Sequence, residues 1–346
     1  MNYVPFLKGK QNEFLALRSL SSDAQNQIKP FIDIPRGDDN SEGAIKKKIK
    51  TAFVNTTRMY KEYPLPFYLD TYDLPAGTFI DGVYVYEYVL NTFSGFEITP
   101  VLGLDRDQEH IDAAKKYICS KGGNVAIRLL SDDIDSFNLT KDEVEDVLTD
   151  FPADMMVDVI FDFRVVTASI VANILPKLNL FLSRINEINN LNHVIITSSS
   201  IPAVVTELTA TGSDNHVNRD EWDLWQGVVN KDFDEYFYGD YTVVSPEYSD
   251  NDIAVELMRT VQTPRIIYTK ETELYITRGR ALKTHGDSQY FNLARMVQVC
   301  GFYRVGNSDG EIYINDVARR NSGRCGNASK WITTTVTCHI EHFSSI

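Results

Sequence analysis

The sequence predicts an α/β protein, a TIM-like (β/α)8 barrel with a C-terminal β-rich appendage. Short apolar segments recur along the chain, and helical patterns lie between them. Continuous apolar strands are typical of parallel sheets, because helices cover both faces of such a sheet. Eight strands alternating with about eight helices over roughly 260 residues fit a (β/α)8 barrel. A doubly wound open sheet is the alternative, but it usually has fewer strands and a glycine-rich first turn.

The predicted strands share an apolar centre, and the early ones are entered through proline and left through a charged residue. Proline suits the first residue of a strand, where no ladder donor is needed. In chain order the predicted strands are Tyr3–Lys10, Lys29–Pro35, Leu65–Asp70, Ile98–Asp105, Gly123–Leu130, Met155–Asp162, His193–Ser200 and Tyr241–Glu247.

The segments between these strands carry apolar residues at helical spacing. Gly122 and Gly123 mark the end of one helix, and the capping box Thr140-Lys-Asp-Glu143 predicts the start of another. The other predicted helices are Gln11–Leu20, Glu42–Tyr60, Tyr84–Phe93, Gln108–Lys121, Ala168–Asn189, Arg219–Val229 and Asp250–Thr260.

The composition changes after Pro264, which divides the chain into a barrel over residues 1–263 and a small, mainly-β subdomain over 264–346 packed on it. Residues of the second part are rich in β-branched and aromatic types, which favour strands. Tyr290–Val299 alone has a helical pattern. The predicted strands of the tail are Arg265–Thr269, Leu274–Thr277, Gly301–Val305, Glu311–Ile314 and Trp331–His339.

Composition excludes several classes of function. The net charge of -14 disfavours duplex nucleic acid as the main partner. No apolar stretch reaches the length that spans a membrane, and no signal-peptide pattern opens the chain. Four irregularly spaced cysteines predict free thiols in a cytoplasmic protein. No glycine-rich motif for a nucleotide cofactor occurs.

Charged residues follow the predicted strands at their carboxyl ends, where barrels place their active sites. Crowded carboxylates need a cation, neighbouring Lys and Arg, or a shared proton. Oxygen ligands of this type suit Mg²⁺ or Mn²⁺, and the basic residues and serines suit phosphate. The candidate catalytic residues are Asp33, Asp70, Asp105, Asp162 and Glu247; Asp33, Asp70, Asp105 and Glu247 are candidate metal ligands; Lys8, Lys10, Arg128, Arg164, Ser198 and Ser199 are candidate substrate-binding residues.

Ordinary capping is the alternative interpretation of these residues, because an aspartate at a strand end often caps the next helix or turn. The register of each strand also matters. A slip of one residue turns a carboxylate from the barrel interior to its helical shell.

Several short motifs, in this order, resemble those of the phage "beta protein" family, which is named after a protein of a T-even bacteriophage and also occurs in bacterial genomes. They are Lys8-Gly-Lys-Gln11 with Glu13 and Ala16-Leu17, Lys29–Pro35, Glu221-Trp-Asp-Leu-Trp225, Gly239-Asp-Tyr241, Arg278-Gly279, and Trp331 with His339. The likeness covers nearly the whole chain. It implies a phage or mobile-element setting, but no activity comes with it. Family members tend to end in paired histidines, whereas Cys338 precedes His339 here.

Two functions are therefore expected. The first is a metal-assisted hydrolase or lyase acting on a phosphate-bearing substrate, such as a nucleotide or a nucleic-acid fragment. The second is a non-catalytic protein that acts in phage–host conflict by binding another protein. Fold alone does not separate them.

Overall fold

The computed structural model describes residues 3–229, 236–248 and 262–346. The strands of this part of the chain are β1 (Tyr3–Leu7), β2 (Phe31–Asp33), β3 (Phe67–Asp70), β4 (Phe79–Ile80), β5 (Val83–Tyr84), β6 (Ile98–Gly103), β7 (Val125–Leu129), β8 (Val157–Val165), β9 (Leu191–Ser199), β10 (Asp214–Asn218), β11 (Tyr236–Asp240), β12 (Arg265–Thr269) and β13 (Glu273–Arg278). Eight of these form a closed parallel barrel in the order β1-β11-β9-β8-β7-β6-β3-β2. The predicted TIM-like barrel is confirmed.

Helices alternate with the barrel strands and continue into the tail. They are α1 (Gln11–Arg18), α2 (Ser22–Gln27), α3 (Glu42–Glu62), α4 (Val85–Thr92), α5 (Gln108–Lys121), α6 (Phe137–Val147), α7 (Ala168–Leu182), α8 (Asp220–Gly227), α9 (Leu282–His285), α10 (Gln289–Gln298), α11 (Asp309–Ala318) and α12 (Ala328–Phe343). Short 3₁₀ turns lie at Ser131–Asp135, Ile185–Glu187 and Val205–Glu207. No helix in the described residues is long and apolar enough to cross a membrane.

The barrel strands alternate between an interior and a shell-facing set of side chains. The interior set forms a compact core of its own, in which the rings of Phe6 and Phe31 stack at 4.3 Å. An eight-stranded barrel is just wide enough for such side chains to fill it. The interior core comprises Val4, Phe6, Phe31, Tyr68, Val101, Ala126, Ile160, Ile195, Phe237 and Tyr241. The barrel is therefore a packed core, and its polar chemistry is confined to its ends.

The first seven predicted strands match barrel strands, but the eighth was predicted in the wrong place. The eighth barrel strand is β11, whereas the whole predicted segment Tyr241–Glu247 lies in the loop after it. A Cβ on Gly239 would lie 3.0 Å from the Phe6 ring and from the carbonyl oxygen of Val4, so close packing requires glycine here. Because glycine has a low strand propensity, Gly239 weakens the sequence signal for β11. The predicted helix Asp250–Thr260 lies outside the described residues.

The prediction that residues 264–346 form a mainly-β subdomain is wrong, because most of their regular structure is helical. Only β12 and β13 are strands in this part, and they form an antiparallel sheet with β10, which comes from the segment after β9. The segments predicted as strands at Glu311–Ile314 and Trp331–His339 lie within helices α11 and α12. Gly301–Val305 forms neither helix nor strand, and the helix predicted at Tyr290–Val299 is α10.

Helix α12 forms in spite of its β-branched residues. Its threonine hydroxyls donate to backbone carbonyls four residues earlier, as Thr335 does to Trp331 at 2.9 Å and Thr337 to Thr333 at 2.9 Å. Asn327 caps the amino end by accepting from the backbone N–H of Lys330. Internal bonds and burial between the barrel helices and the tail sheet therefore outweigh local propensity.

A buried polar network, the Asp240 network, joins α12 to the barrel. Asp240 lies at the end of β11 and faces the helical shell, where its carboxylate accepts from His339 Nε2 at 2.9 Å and from Arg219 Nη2 at 2.8 Å. Tyr238 donates to it as well, at 2.7 Å. His339 Nδ1 accepts from Thr269 in β12, which fixes the ring between the tail and the barrel. Each of these groups is buried.

Candidate functional site

Arg128 lies at the centre of the carboxyl end of the barrel. It projects inward from β7, and its guanidinium is almost completely buried. Nε donates to Asp162 Oδ2 at 2.9 Å, and Nη1 donates to Asp70 Oδ2 at 2.9 Å. Asp33 Oδ2 lies 3.5 Å from Nη1, and the Tyr241 hydroxyl accepts from Nη2 at 2.9 Å. The ends of four different strands therefore meet around one cation.

Asp70 and Asp162 are fully engaged by cationic or hydroxyl donors. Asp70 accepts from Arg106 Nη2 at 3.0 Å as well as from Arg128. Burial alone would raise the pKa of Asp70, but these two guanidinium groups outweigh it and hold the pKa below its usual value. Asp162 accepts from the Tyr241 hydroxyl at 2.6 Å. Both side chains are carboxylates bound in a fixed arrangement.

Asp33 differs from its neighbours. Its carboxyl is 4% exposed, and Oδ1 is buried without a hydrogen-bond partner in the described part of the chain. Burial, together with the negative charges of Asp73 and Asp70, raises its pKa to about 8. A carboxyl with this pKa holds its proton near neutral pH, and it can give or take that proton within the working range of a general acid–base catalyst.

Tyr72 covers one side of this arrangement. The guanidinium carbons of Arg106, Arg128 and Arg164 lie 4.9, 4.1 and 4.9 Å from the centre of its ring. Arg164 has a left-handed backbone (φ +54°) at an irregularity of β8, and its backbone N–H donates to Asp162 Oδ1 at 2.9 Å. Bulges of this kind redirect side chains beside active sites. Here the bulge brings Arg164 to the carboxyl end of the barrel around Arg128, which is called the mouth below.

A second group of cations surrounds Tyr248, in the loop after β11. Lys8 Nζ lies 3.4 Å from the ring centre, Arg36 lies at 4.6 Å, and Lys10 Nζ lies at 5.2 Å. Cations over an aromatic face are attracted by its quadrupole. Lys8, Lys10, Arg36 and Tyr248 are called the cation cluster below.

A cavity of about 260 Å³ borders the cation cluster and reaches the tail. Its polar lining residues include Lys8, Lys10, Glu247, Tyr248 and Arg265, and its apolar ones include Val243 and Ile267. Tail residues of α12, including Trp331, complete the wall. The cavity offers room for a small molecule that has both a charged and an apolar part.

The candidate residues predicted from the sequence separate into four sets. Asp33, Asp70, Arg128, Asp162 and Arg164 meet at the mouth, and Lys8, Lys10 and Glu247 line the adjoining cavity. Asp105 lies at the rim, with its side chain 46% exposed and 3.5 Å from Arg106 Nε. Ser198 and Ser199 are buried at the end of β9, and Ser199 Oγ accepts from the backbone N–H of Ile201. The Ser199 hydroxyl therefore takes part in a turn, and the phosphate site at these serines stays a prediction.

Four residues of the site were absent from the predicted set: Asp73, Arg106, Tyr72 and Tyr248. Each lies in a loop, two to eight residues beyond the last position of a strand. The signal that was available is the charge pattern after the strand, such as Arg106 between Asp105 and Asp107. Asp107 caps α5, accepting from the backbone N–H of His110 at 3.1 Å, as the capping interpretation predicts.

The predicted metal ligands do not fit a divalent cation. Among the described residues, no group of three or more His, Cys, Asp or Glu side chains is arranged to hold a metal ion. The oxygens of Asp70 face guanidinium groups, Asp105 lies at the rim, and Glu247 lies in the adjoining cavity. Lysine and arginine side chains therefore balance the negative charge of the crowded carboxylates, in the place that a metal cation would otherwise take.

Replacing Asp33 by asparagine is expected to stabilise the protein increasingly as the pH rises. Because the folded pKa of Asp33 lies above the unfolded value near 3.9, wild-type stability falls by about 1.4 kcal/mol per pH unit between those two values, and it levels off above the folded one. The asparagine amide does not titrate. Unfolding of both proteins at pH 5, 7 and 8.5 should therefore show a difference that grows in favour of Asp33→Asn. A pH-independent loss of about 1–3 kcal/mol would instead identify Asp33 as an ionised structural partner.

Comparison with known proteins identifies one family. The family model described as Beta protein matches residues 3–345, nearly the whole chain. No curated protein matches the chain.

Proposed function

The chain belongs to the Beta protein family, and we propose that it is an enzyme, a hydrolase or lyase that binds a phosphate-bearing small molecule at the mouth of its barrel. The proposal rests chiefly on Asp33. It is a buried carboxyl with one unpartnered oxygen, beside two carboxylates that are fully engaged. Burying a polar atom without a partner costs stability, and such costs are commonly retained where a group serves function.

Asp33 supplies the proton transfer in this proposal. The raised pKa keeps its carboxyl protonated at neutral pH, so that it can donate to a leaving group or to a developing oxyanion. Arg128 holds Asp70 and Asp162 on either side and fixes the electrostatic environment of Asp33. Preorganised charges of this kind stabilise charge that develops in a transition state.

The cation cluster supplies the binding of the anion. The whole chain carries a net charge of -14, so the gathering of Lys8, Lys10 and Arg36 around one ring runs against the average composition. Ammonium and guanidinium groups form short, charge-assisted hydrogen bonds with phosphate oxygens. The cavity beside the cluster has room for the rest of such a molecule. The positive charges in this mechanism come from the side chains of the protein.

A non-catalytic binding protein that acts in phage–host conflict is the second candidate. The observation that favours it is the complete pairing of Asp70 and Asp162 with Arg106, Arg128 and Tyr241. A buried network of this kind also serves structure alone.

Phosphate binding and turnover separate the candidates. We expect inorganic phosphate to bind the wild-type protein in calorimetry, and Lys10→Met to weaken binding about tenfold, because a charge in the cation cluster is lost. Lys50→Met, on the exposed face of α3, is the matched control and should bind as wild type does. Phosphorus NMR of mixed phosphomonoesters and nucleotides should show product with wild type and none with Asp33→Asn. Binding without any turnover supports the second candidate, and equal binding by Lys10→Met and wild type contradicts the anion site.

A further inference from the structure

Lys8 is an unusual buried cation. Its side chain is 4% exposed, and Asp73 Oδ2, 3.9 Å from Nζ, is the carboxylate oxygen within salt-bridge distance of it in the described residues. That separation is too long for a hydrogen bond. The other buried cations, Arg128 and Arg219, each donate several hydrogen bonds of 3 Å or less. Lys8 therefore makes no short ion pair among the described residues, and its amine lies over the Tyr248 ring instead.

The surroundings of Lys8 lower the pKa of its amine and so raise the fraction of it that is neutral. Burial, reinforced by the charges of Lys10 and Arg164, lowers its pKa to about 8 against the opposing charge of Asp73. At pH 7.5 about a quarter of such amines are neutral, compared with about one in a thousand for an ordinary lysine. Only the neutral amine is a nucleophile.

The geometry around Lys8 suits a carbonyl substrate. Lys8 lines the cavity together with Lys10, and it lies next to Asp33 in the strand register, one residue beyond the paired Leu7 of β1 and Ile32 of β2. An amine, a proton-donating carboxyl and an anion-binding group thus lie together at one end of the barrel. A lysine that forms a Schiff base needs these three elements: the nucleophile, the acid that removes water, and the grip on the substrate.

We infer that Lys8 is a nucleophile that forms an imine with a phosphorylated aldehyde or ketone bound at the cation cluster. The inference rests on the proposed anion site and narrows its reaction to lyase chemistry at carbon. Lys8 Nζ attacks the carbonyl carbon, and one proton moves from nitrogen to the former carbonyl oxygen, which gives a carbinolamine. Asp33 then protonates the hydroxyl group, water leaves, and the protonated imine remains beside the Asp33 carboxylate. Atoms and charge balance in both steps.

Reductive trapping of the full-length protein tests the inference. Pyridoxal 5′-phosphate is the probe, because it carries an aldehyde and a phosphate, and borohydride fixes the imine for peptide mass spectrometry. We expect one equivalent of adduct on Lys8 at a probe concentration at which Lys46, Lys47 and Lys50 of the exposed α3 stay unmodified. Inorganic phosphate should compete, and Asp33→Asn should slow adduct formation about tenfold or more, since a general acid contributes about 10²–10⁴-fold.

Lys8→Met and Lys10→Met are the matched pair of variants. Lys8→Met should lose the adduct and keep measurable probe binding, whereas Lys10→Met should keep the adduct at a higher probe concentration. An adduct spread over surface lysines, or one that persists at other sites in Lys8→Met with unchanged yield, overturns the inference. If phosphate binds but Lys8 stays unmodified, the imine is wrong and the anion site stands. If phosphate does not bind either, both proposals fail.

Discussion

Replacing Arg128 by methionine is expected to lower the free energy of unfolding by about 3–5 kcal/mol, because it leaves buried carboxylates without their shared cation. Arg128 bonds to Asp162 and Asp70, lies 3.5 Å from Asp33, and donates to the Tyr241 hydroxyl. Because Asp33 is protonated at this pH, removal of Arg128 leaves the negative charges of Asp70 and Asp162 close together in a medium of low dielectric constant. Chemical unfolding at pH 7 measures the loss.

Arg18→Met is the control for this prediction. Arg18 pairs with Glu62 on the surface, and exposed pairs contribute about 0–1 kcal/mol. Adding Asp162→Asn to Arg128→Met should recover part of the loss, since one uncompensated charge is removed. A loss of under about 1 kcal/mol in Arg128→Met would show that the mouth carboxylates do not depend on this cation.

Replacing Asp240 by asparagine is the second large expected loss, about 3–5 kcal/mol, because it removes one of the two carboxylates that pair with the buried Arg219, leaving only Glu221, and breaks the buried network between barrel and tail. Asp240 Oδ2 accepts from Arg219 at 2.8 Å and from Tyr238 at 2.7 Å, and His339 donates to both oxygens at 2.9 Å. Burial alone would raise the pKa of Asp240, but His339 and Arg219 outweigh it and hold the pKa well below its usual value. Thermal and urea unfolding measure the change.

The charged state of Asp240 gives this prediction a pH signature. Because its folded pKa is lowered, the stabilisation is present above the unfolded value near 3.9 and is lost as the pH falls through the folded one. The cost of Asp240→Asn should therefore be full at pH 6–8. Asp223→Asn, on the exposed side of α8, should change stability by less than about 0.5 kcal/mol. Equal small effects from both substitutions contradict the role of the Asp240 network.

The barrel and the residues at the centre of its mouth could be predicted because two sequence signals agree. They are the hydrophobic pattern of the strands and the positions of the charged residues within it. Asp33, Asp70 and Asp162 each occupy an inward position of an apolar strand, so the hydrophobic pattern sets the register and the register sets the direction of the carboxylate. Arg128 follows the same rule on β7. Parallel strands then bring residues that are far apart in sequence to one rim.

The tail could not be predicted by the same rules. Trp331–His339 has the composition of a strand, but its hydroxyls bond to the preceding turn and its faces are buried between α1, α11 and β12. Tertiary packing determines whether such a segment forms a helix or a strand, and the local sequence does not show what the segment packs against. His339 likewise acquires its role only from Asp240 and Thr269, which are distant in sequence.

The loop residues of the site carry the weakest signal. These residues, which reach the mouth from turns, are Tyr72, Asp73, Arg106 and Tyr248. Turns have no regular repeat of side-chain direction, so the sequence pattern does not show where these side chains point. Their contribution is large nonetheless: Asp73 helps to raise the pKa of Asp33, and Tyr248 holds the cation cluster. The sequence indicates the paired acids and bases of the site. It does not indicate which carboxyl holds a proton, because this depends on charges in the loops, such as that of Asp73.

The proton on Asp33 is the central claim, and an infrared titration of its carboxyl group measures it directly. The C=O band of a protonated carboxyl, identified by its absence in Asp33→Asn, should be present at pH 7 and disappear on titration through about pH 8. Phosphate should perturb this band through the neighbouring cation cluster, and Lys50→Met should leave it unchanged. An ionised Asp33 throughout pH 5–9 would contradict the account, because the mouth would then hold only paired carboxylates and no group poised to transfer a proton.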